Sequence, residues 1–178
     1  MLKKIICLAL ISFMLMGATP QEEIISNTLR FEGVKMYNNS KRGIELSTLK
    51  TYNKLKGTNW ELESLTHNQA VEILKVLYWS DRLNYITSDW VKWAVFDFQM
   101  NTSSSKAYKL MHKAFGLNPQ STLSLELVTK LNSLSPKYAV NRICDIRLEY
   151  LKSLSSWSKH SVGWSKRVEQ IRELGGLK

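Results

Sequence analysis

The sequence has few of the residues that mark specialised protein classes. Its 178 residues include two cysteines, three prolines and eight glycines. Two cysteines cannot build a disulfide scaffold, and so little proline and glycine excludes collagen-like and low-complexity chains. Acidic residues are also scarce, with 15 Asp and Glu against 25 Lys and Arg, and 44% of the residues are hydrophobic. This composition excludes a disordered tail and a multi-span membrane protein, and it predicts one basic globular domain.

The first 19 residues have the layout of a secretory signal. Lys3 and Lys4 precede an apolar run over residues 5–16, which is shorter than the roughly 20 residues that span a bilayer. We therefore predict that residues 1–19 are a signal peptide or, if retained, an N-terminal anchor, and that the protein is exported to the periplasm or secreted. Removal of this segment leaves Cys144 as a single thiol, which we interpret as a buried apolar residue.

The formal net charge of +10 favours an anionic partner. For an exported protein this charge fits cell-wall polymers, lipid headgroups and nucleic acid alike. The basic residues are dispersed along the chain, so charge alone does not choose among these partners.

Apolar residues recur at helical spacing downstream of residue 20. Thr66 and Gln69 have the pattern of a capping box, and residues 90–100 are apolar nearly all round, which is typical of a central buried helix. Pro136 is predicted to start the longest helix, with a stripe that reaches Trp157, and a short last helix is predicted over residues 164–174. Residues 33–44 are predicted to form a small hairpin or an irregular loop. The pattern predicts a mainly α, single globular domain of about seven or eight helices.

Glu32 is the first candidate for chemistry. It ends the apolar face that includes Thr28 and Leu29, and Gly33 follows it. A carboxyl at the end of a buried stripe is expected to be desolvated, which favours the protonated form that a general acid needs. The alternative is a surface glutamate at a helix C-terminus.

Asp97 and Asn101 lie on the predicted central helix. A carboxyl between two phenylalanines must be hydrogen-bonded or functional, because an unpaired buried charge is very costly. The alternatives are bridging to a neighbouring loop for Asp97 and a role in ending the helix for Asn101. The histidines show no metal-ligand spacing, and the sequence has neither a nucleophile elbow nor a phosphate-binding glycine loop. We predict no metal and no cofactor.

Several short motifs follow one another in a recognisable order. They are Glu32-Gly33 with Tyr37, Gly43-Ile44, Leu65-Thr66, Tyr78-Trp79, Phe96-Asp97-Phe98 with Asn101, residues 107–116, residues 142–151, and Gly163-Trp164 with Arg167. Together they resemble glycoside hydrolase family 108, whose members carry E-G-G-Y, Y-G-I-T, L-T, Y-W, F-D-x-x-V-N and G-W-x-x-R at the corresponding places. The resemblance covers about residues 24 to 172.

The resemblance implies one lysozyme-like domain over residues 20–178, with a catalytic half (20–84) and a helical, peptidoglycan-binding-like half (85–178). It implies an N-acetylmuramidase that cleaves the glycan strands of peptidoglycan with Glu32 as general acid. Ser40 would replace a water-holding threonine, and Glu45 stands where the family has the Thr of G-I-T, so both are catalytic candidates. The alternative for Glu45 is an interaction with a helix dipole. The candidate substrate-binding residues are Tyr37, Asp97, Asn101 and Trp164.

The loop between Glu32 and Gly43 is shorter than in the family and lacks its Asp and paired Gly. Two functions therefore stay open: an exported muramidase, or a catalytically impaired lysozyme-like protein that binds peptidoglycan in a secretion or wall-remodelling apparatus. A third reading, a basic amphipathic protein acting on membranes, fits the globular pattern less well. We expect a monomer whose partner is the peptidoglycan glycan strand, with no nucleic acid and with membrane contact only through an uncleaved N-terminal segment.

Overall fold

The computed structural model describes residues 20–32 and 39–175, and the prediction of a mainly α domain is confirmed. Eight α-helices, a short 3-10 helix and a two-stranded hairpin lie within these residues. The helices are α1 (Pro20–Leu29), α2 (Leu46–Lys56), α3 (His67–Tyr78), the 3-10 helix (Asp81–Tyr85), α4 (Asp89–Asn101), α5 (Ser104–Ala114), α6 (Leu125–Asn132), α7 (Pro136–Lys152) and α8 (Trp157–Gly175). The strands are β1 (Ser40–Lys41) and β2 (Ile44–Glu45). The predicted signal segment lies outside the described residues.

Side-chain caps fix the starts of the helices that carry the core. The predicted capping box is confirmed: the Gln69 backbone N–H donates to Thr66 Oγ1 at 3.3 Å, and Gln69 Oε1 accepts from the Thr66 backbone N–H at 2.8 Å. Ser88 caps α4, because its hydroxyl accepts from the backbone N–H of Val91. The start of the central helix is thus set by a residue next to it in sequence.

The central position of α4 is also confirmed. Most of its residues from Val91 to Gln99 are buried, and α1, α5, α7 and α8 all pack against it. One apolar core runs from Ile24 on α1 to Ile171 on α8, so the N-terminal and C-terminal parts share it. In the part of the chain that is described, no helix is long and apolar enough to cross a membrane.

The prediction of a short last helix is wrong. Helix α7 ends at Lys152, and α8 begins at Trp157 and has 19 residues against 17 in α7. The break occurs where Ser153 donates its hydroxyl to the Tyr150 carbonyl at 2.6 Å, a bond that competes with continuation of the helix. Gly163 does not interrupt α8, because a glycine inside a helix costs only about 1 kcal/mol relative to alanine.

Of the two alternatives predicted for residues 33–44, the small hairpin is present within the described residues. Its antiparallel strands pair Ser40 with Glu45 and Lys41 with Ile44. Arg42 and Gly43, the two turn residues, have φ of 53° and 73°, as a tight two-residue hairpin turn requires. Ile44 is fully buried, and Arg42 Nε donates to the Leu65 carbonyl at 3.2 Å. These contacts hold the hairpin beside the end of α1.

Candidate active site

A cavity of about 200 Å³ opens between the end of α1, the hairpin, α3 and the end of α4. It is lined by Thr28, Leu29, Glu32, Ser40, Gly43, Glu45, Leu74, Met100 and Asn101. The structure therefore brings together four of the predicted site residues, which are Glu32, Ser40, Glu45 and Asn101.

Glu32 lies just beyond the last turn of α1, where its backbone N–H donates to the Leu29 carbonyl at 3.0 Å. Its side chain is 34% exposed, and Oε1 accepts a hydrogen bond from Arg167 Nη1 at 2.5 Å. The expectation that burial desolvates this carboxyl is wrong, because the group reaches solvent and pairs with a cation. The exposure places the carboxyl within reach of a ligand in the cavity.

Gly43 allows the hairpin to approach Glu32 closely. A Cβ atom at this position would lie 2.7 Å from Glu32 Cγ and 3.1 Å from Glu32 Cβ. The φ of 73° is also unfavourable for any residue with a side chain. Both the backbone conformation and the contact with Glu32 require glycine here.

Arg167 of α8 connects Glu32 to the interior. Its Nε lies 3.2 Å from each carboxylate oxygen of Asp97, and its Nη2 donates to Asp97 Oδ1 at 2.7 Å. The Phe31 ring covers the guanidinium at 4.8 Å and itself stacks on Trp93 at a centroid distance of 6.2 Å. Burial lowers the pKa of Arg167, but Asp97 and Glu32 outweigh this effect and raise it, so the guanidinium is charged.

Asp97 is fully buried and also accepts from Arg147 of α7 through Oδ2. Burial alone would raise the pKa of Asp97, but Arg147 and Arg167 outweigh it and hold the pKa below its ordinary value of 3.8. A side chain with no exposed surface and both oxygens paired does not touch a glycan in the cavity. The assignment of Asp97 to substrate binding is therefore corrected: it bridges two arginines behind the site.

Ser40 and Glu45 face each other across the hairpin, and both line the cavity. Glu45 is the N-cap residue of α2 and its side chain forms no capping hydrogen bond, although Oε2 lies 3.4 Å from Ser47 Oγ. Glu45 therefore lies both at the site and at a helix N-terminus, and the two interpretations of this residue are compatible. On the opposite wall, Asn101 Nδ2 donates to the Asp97 carbonyl at 2.9 Å.

Of the other predicted substrate-binding residues, the structure describes Trp164 and places it outside the cavity. Trp164 lies on α8 one turn before Arg167, where its ring contacts His160 at 5.1 Å and Trp157 at 6.2 Å. It is absent from the cavity lining. Tyr37 lies outside the described residues.

The described residues support neither a cysteine nucleophile nor a metal-binding site. Cys144 is buried as expected, with Sγ 3.7 Å from the Val168 carbonyl, and burial raises the pKa of its thiol to about 12. Such a thiol does not act as a nucleophile at neutral pH. No group of three or more His, Cys, Asp or Glu side chains that could hold a metal ion occurs within residues 20–32 and 39–175.

The arginines that organise the site were not predicted as site residues. Arg167 appears in the G-W-x-x-R motif, and Arg147 lies next to Ile146 on the apolar stripe of α7. A cation on a buried helix face is the signal that could have indicated a buried carboxylate partner, because buried charges are paired.

Residues 32–102 match the family model Glycosyl hydrolase 108. The resemblance to that family is confirmed. The matched segment begins at Glu32 and contains the hairpin and α4, whereas Arg147 and Arg167 lie beyond it. The glycosyl hydrolase 108 match supports a glycosidase.

The structure of Brucella abortus SagA is similar to the whole domain. The two share a TM-score of 0.71 and 22% sequence identity, over 89% of this chain and 96% of that chain. At this identity the likeness shows a common fold, here the mainly α, lysozyme-like one. No curated protein matches the sequence.

Proposed function

We propose that this protein is a peptidoglycan hydrolase that cleaves the glycan strand as an N-acetylmuramidase. One observation carries the proposal: a single cavity gathers Glu32, Ser40, Glu45 and Asn101 within the segment that matches a glycosyl hydrolase family. Hydrolysis of a glycosidic bond needs one group that protonates the leaving oxygen and another that handles water or the sugar cation. The cavity contains candidates for both.

Glu32 is the proposed general acid. Arg167 occupies Oε1, so Oε2 carries the proton that passes to the glycosidic oxygen. Gly43 approaches the Glu32 side chain from the hairpin, and Thr28 and Leu29 of α1 line the same cavity. These contacts limit the positions that the carboxyl can adopt when a sugar enters.

Ser40 and Glu45 are proposed to handle the attacking water. They are cross-strand neighbours on a hairpin that is anchored by the buried Ile44. The Ser40 hydroxyl orients the water and the Glu45 carboxylate accepts its proton. Asn101, on the facing wall of the cavity, is proposed to bind the sugar through hydrogen bonds.

We also propose that the protein acts outside the cytoplasm, in the periplasm or as a secreted monomer. The support is the sequence pattern of residues 1–19, with two lysines before an apolar run. The net charge of +10 favours association with an anionic cell wall.

The test is a reducing-end assay on purified peptidoglycan. Wild type is expected to release new reducing-end muramic acid, and Glu32→Gln to lose at least about 1,000-fold of this activity, since it keeps the shape but lacks the acid proton. Glu45→Gln and Ser40→Ala are expected to lose about 10- to 100-fold each. Glu61→Gln, at an exposed position away from the cavity, is the matched control and should behave as wild type.

Equal activity of wild type and Glu32→Gln would overturn the assignment of Glu32. A second function, peptidoglycan binding without cleavage, is favoured by the ion pair that Glu32 already forms with Arg167. Sedimentation of wild type with the cell wall, without any new reducing ends, would establish that function in place of the first.

A further inference from the structure

Arg167 is shared between two carboxylates that belong to different parts of the protein. Nε and Nη2 form a fork on Asp97, and Nη1 points the other way and donates to Glu32. The Phe31 ring against the guanidinium face restricts rotation of the fork. With Nε and Nη2 fixed on Asp97, the planar group has one orientation, and Nη1 is directed at Glu32.

The support behind Arg167 is buried. Arg147, Asp97, Arg167 and Glu32 form a row of alternating charge, and the exposure of their side chains is 4%, 0%, 11% and 34% in that order. The row is thus anchored in the core and ends at the cavity. Each buried charge in it has an opposite neighbour, which is the condition for burying such groups.

We propose that Arg167 is a positioning residue for the Glu32 carboxyl, held in place by Asp97 and Arg147, so that helix α8 completes the catalytic centre. The proposal rests on the proposed role of Glu32. It extends the site beyond the segment that matches the hydrolase family, because Arg167 lies 65 positions after residue 102. The C-terminal part then contributes to the chemistry and not only to glycan binding.

If Arg167 had a purely structural role, the contacts of its Nε and Nη2 atoms with the Asp97 carboxylate would be sufficient. The third contact, from Nη1 to Glu32, reaches a carboxyl that is a third exposed and contributes little to stability. Its effect is therefore on the position of the Glu32 carboxyl.

The experiment measures kcat, KM and their pH profiles on soluble glycan strands for wild type, Arg167→Lys and Arg167→Gln. Arg172→Gln is the control, because Arg172 lies on the same helix and pairs with Asp145 and Glu169 away from Glu32. Arg167→Gln is expected to lose about 100-fold in kcat with KM within about threefold of wild type, since a misplaced group costs about this much. Arg167→Lys keeps the charge without the fork and should lose about 10-fold.

The outcomes separate the two proposals. If wild type is active, Glu32→Gln is inactive, and both Arg167 variants match Arg172→Gln in kcat and pH profile, the role of Arg167 is overturned while the function stands. If wild type releases no reducing ends, the proposed function fails and this role with it. Thermal unfolding is measured alongside. Should Arg167→Gln fail to fold, Arg167→Lys decides alone: a lowered kcat at wild-type stability supports the proposal, and wild-type kinetics refute it.

Discussion

Gly43 and Gly57 allow the contact between the hairpin and Glu32 to be tested at a single residue. Both have positive φ, 73° and 68°, but an added Cβ would collide with Glu32 at Gly43 and would meet no described atom within 4 Å at Gly57. We expect Gly43→Ala and Gly57→Ala to destabilise the fold by about 1–2 kcal/mol each, the cost of a side chain in this conformation. Only Gly43→Ala should also reduce glycan cleavage, by about 10-fold or more.

The comparison of these two variants separates the effect of the Cβ collision with Glu32 from the effect of the unfavourable backbone conformation. Thermal unfolding measures the loss of stability that both variants share, and the reducing-end assay measures the loss of glycan cleavage expected for Gly43→Ala alone. Equal cleavage by the two variants would mean that the approach of Gly43 to Glu32 does not matter for the site.

At the residue scale, the sequence predicts the exposed members of the site better than the buried ones. Glu32, Ser40, Glu45 and Asn101 follow from motifs that keep their order along the chain, and all four line one cavity. The contact between Arg167 and Glu32 joins residues 135 positions apart. No local pattern encodes which distant cation approaches a given carboxyl, because that is decided by how helices pack.

At the element scale, helix α8 shows that a glycine in the sequence does not always mark the end of a helix. The predicted last helix begins just after Gly163, but this glycine lies inside a 19-residue helix, and a Cβ added to it would meet no described atom within 4 Å. We expect Gly163→Ala to stabilise the fold by about 0.5–1 kcal/mol through helix propensity, which raises Tm by roughly 1–4 °C at this chain length. Differential scanning calorimetry measures the change.

Gly175 on the same helix is the contrasting position. A Cβ there would lie 2.6 Å from Val140 Cγ1 on α7, so Gly175→Ala should lower Tm where Gly163→Ala raises it. A lowered Tm for both variants would contradict the helical assignment of residue 163.

Helix starts were predictable and helix ends less so. Caps such as Thr66 and Ser88 are local hydrogen bonds that the neighbouring sequence specifies. The segment between α7 and α8 contains serines but no proline. The apolar residues therefore keep their helical spacing across the break, and the sequence alone does not reveal it. Packing of α8 on α7 settled where the second helix begins.

At the scale of the whole molecule, the buried ion pairs predict how stability depends on pH. The pKa of Asp97 is held below its ordinary value of 3.8, so its contribution is complete above that pH and is lost as the pH falls through the lower, folded value. We expect the free energy of unfolding to fall below about pH 4. Asp97→Asn should flatten this acid limb and cost about 3–5 kcal/mol at pH 7, since Arg147 and Arg167 lose their shared anion.

Urea unfolding between pH 2 and 8 measures both effects. The control is Asp89→Asn, because Asp89 is 59% exposed and pairs with Lys92 at the surface. Such a pair contributes about 0–1 kcal/mol, so this variant should keep the acid limb of the wild type. If Asp97→Asn showed the same fall in the free energy of unfolding at low pH as the wild type, other groups would be responsible for the acid sensitivity.

The separation of Glu32 and Arg167 has a consequence for biosynthesis. A ribosome adds about 5–20 residues per second, so roughly 7 to 27 seconds pass between the synthesis of Glu32 and that of its partner 135 positions later. During that interval the nascent chain holds Glu32 and the hairpin but not the helix that carries Arg167. The proposed site is therefore assembled last, and an unfinished chain does not contain all of its residues.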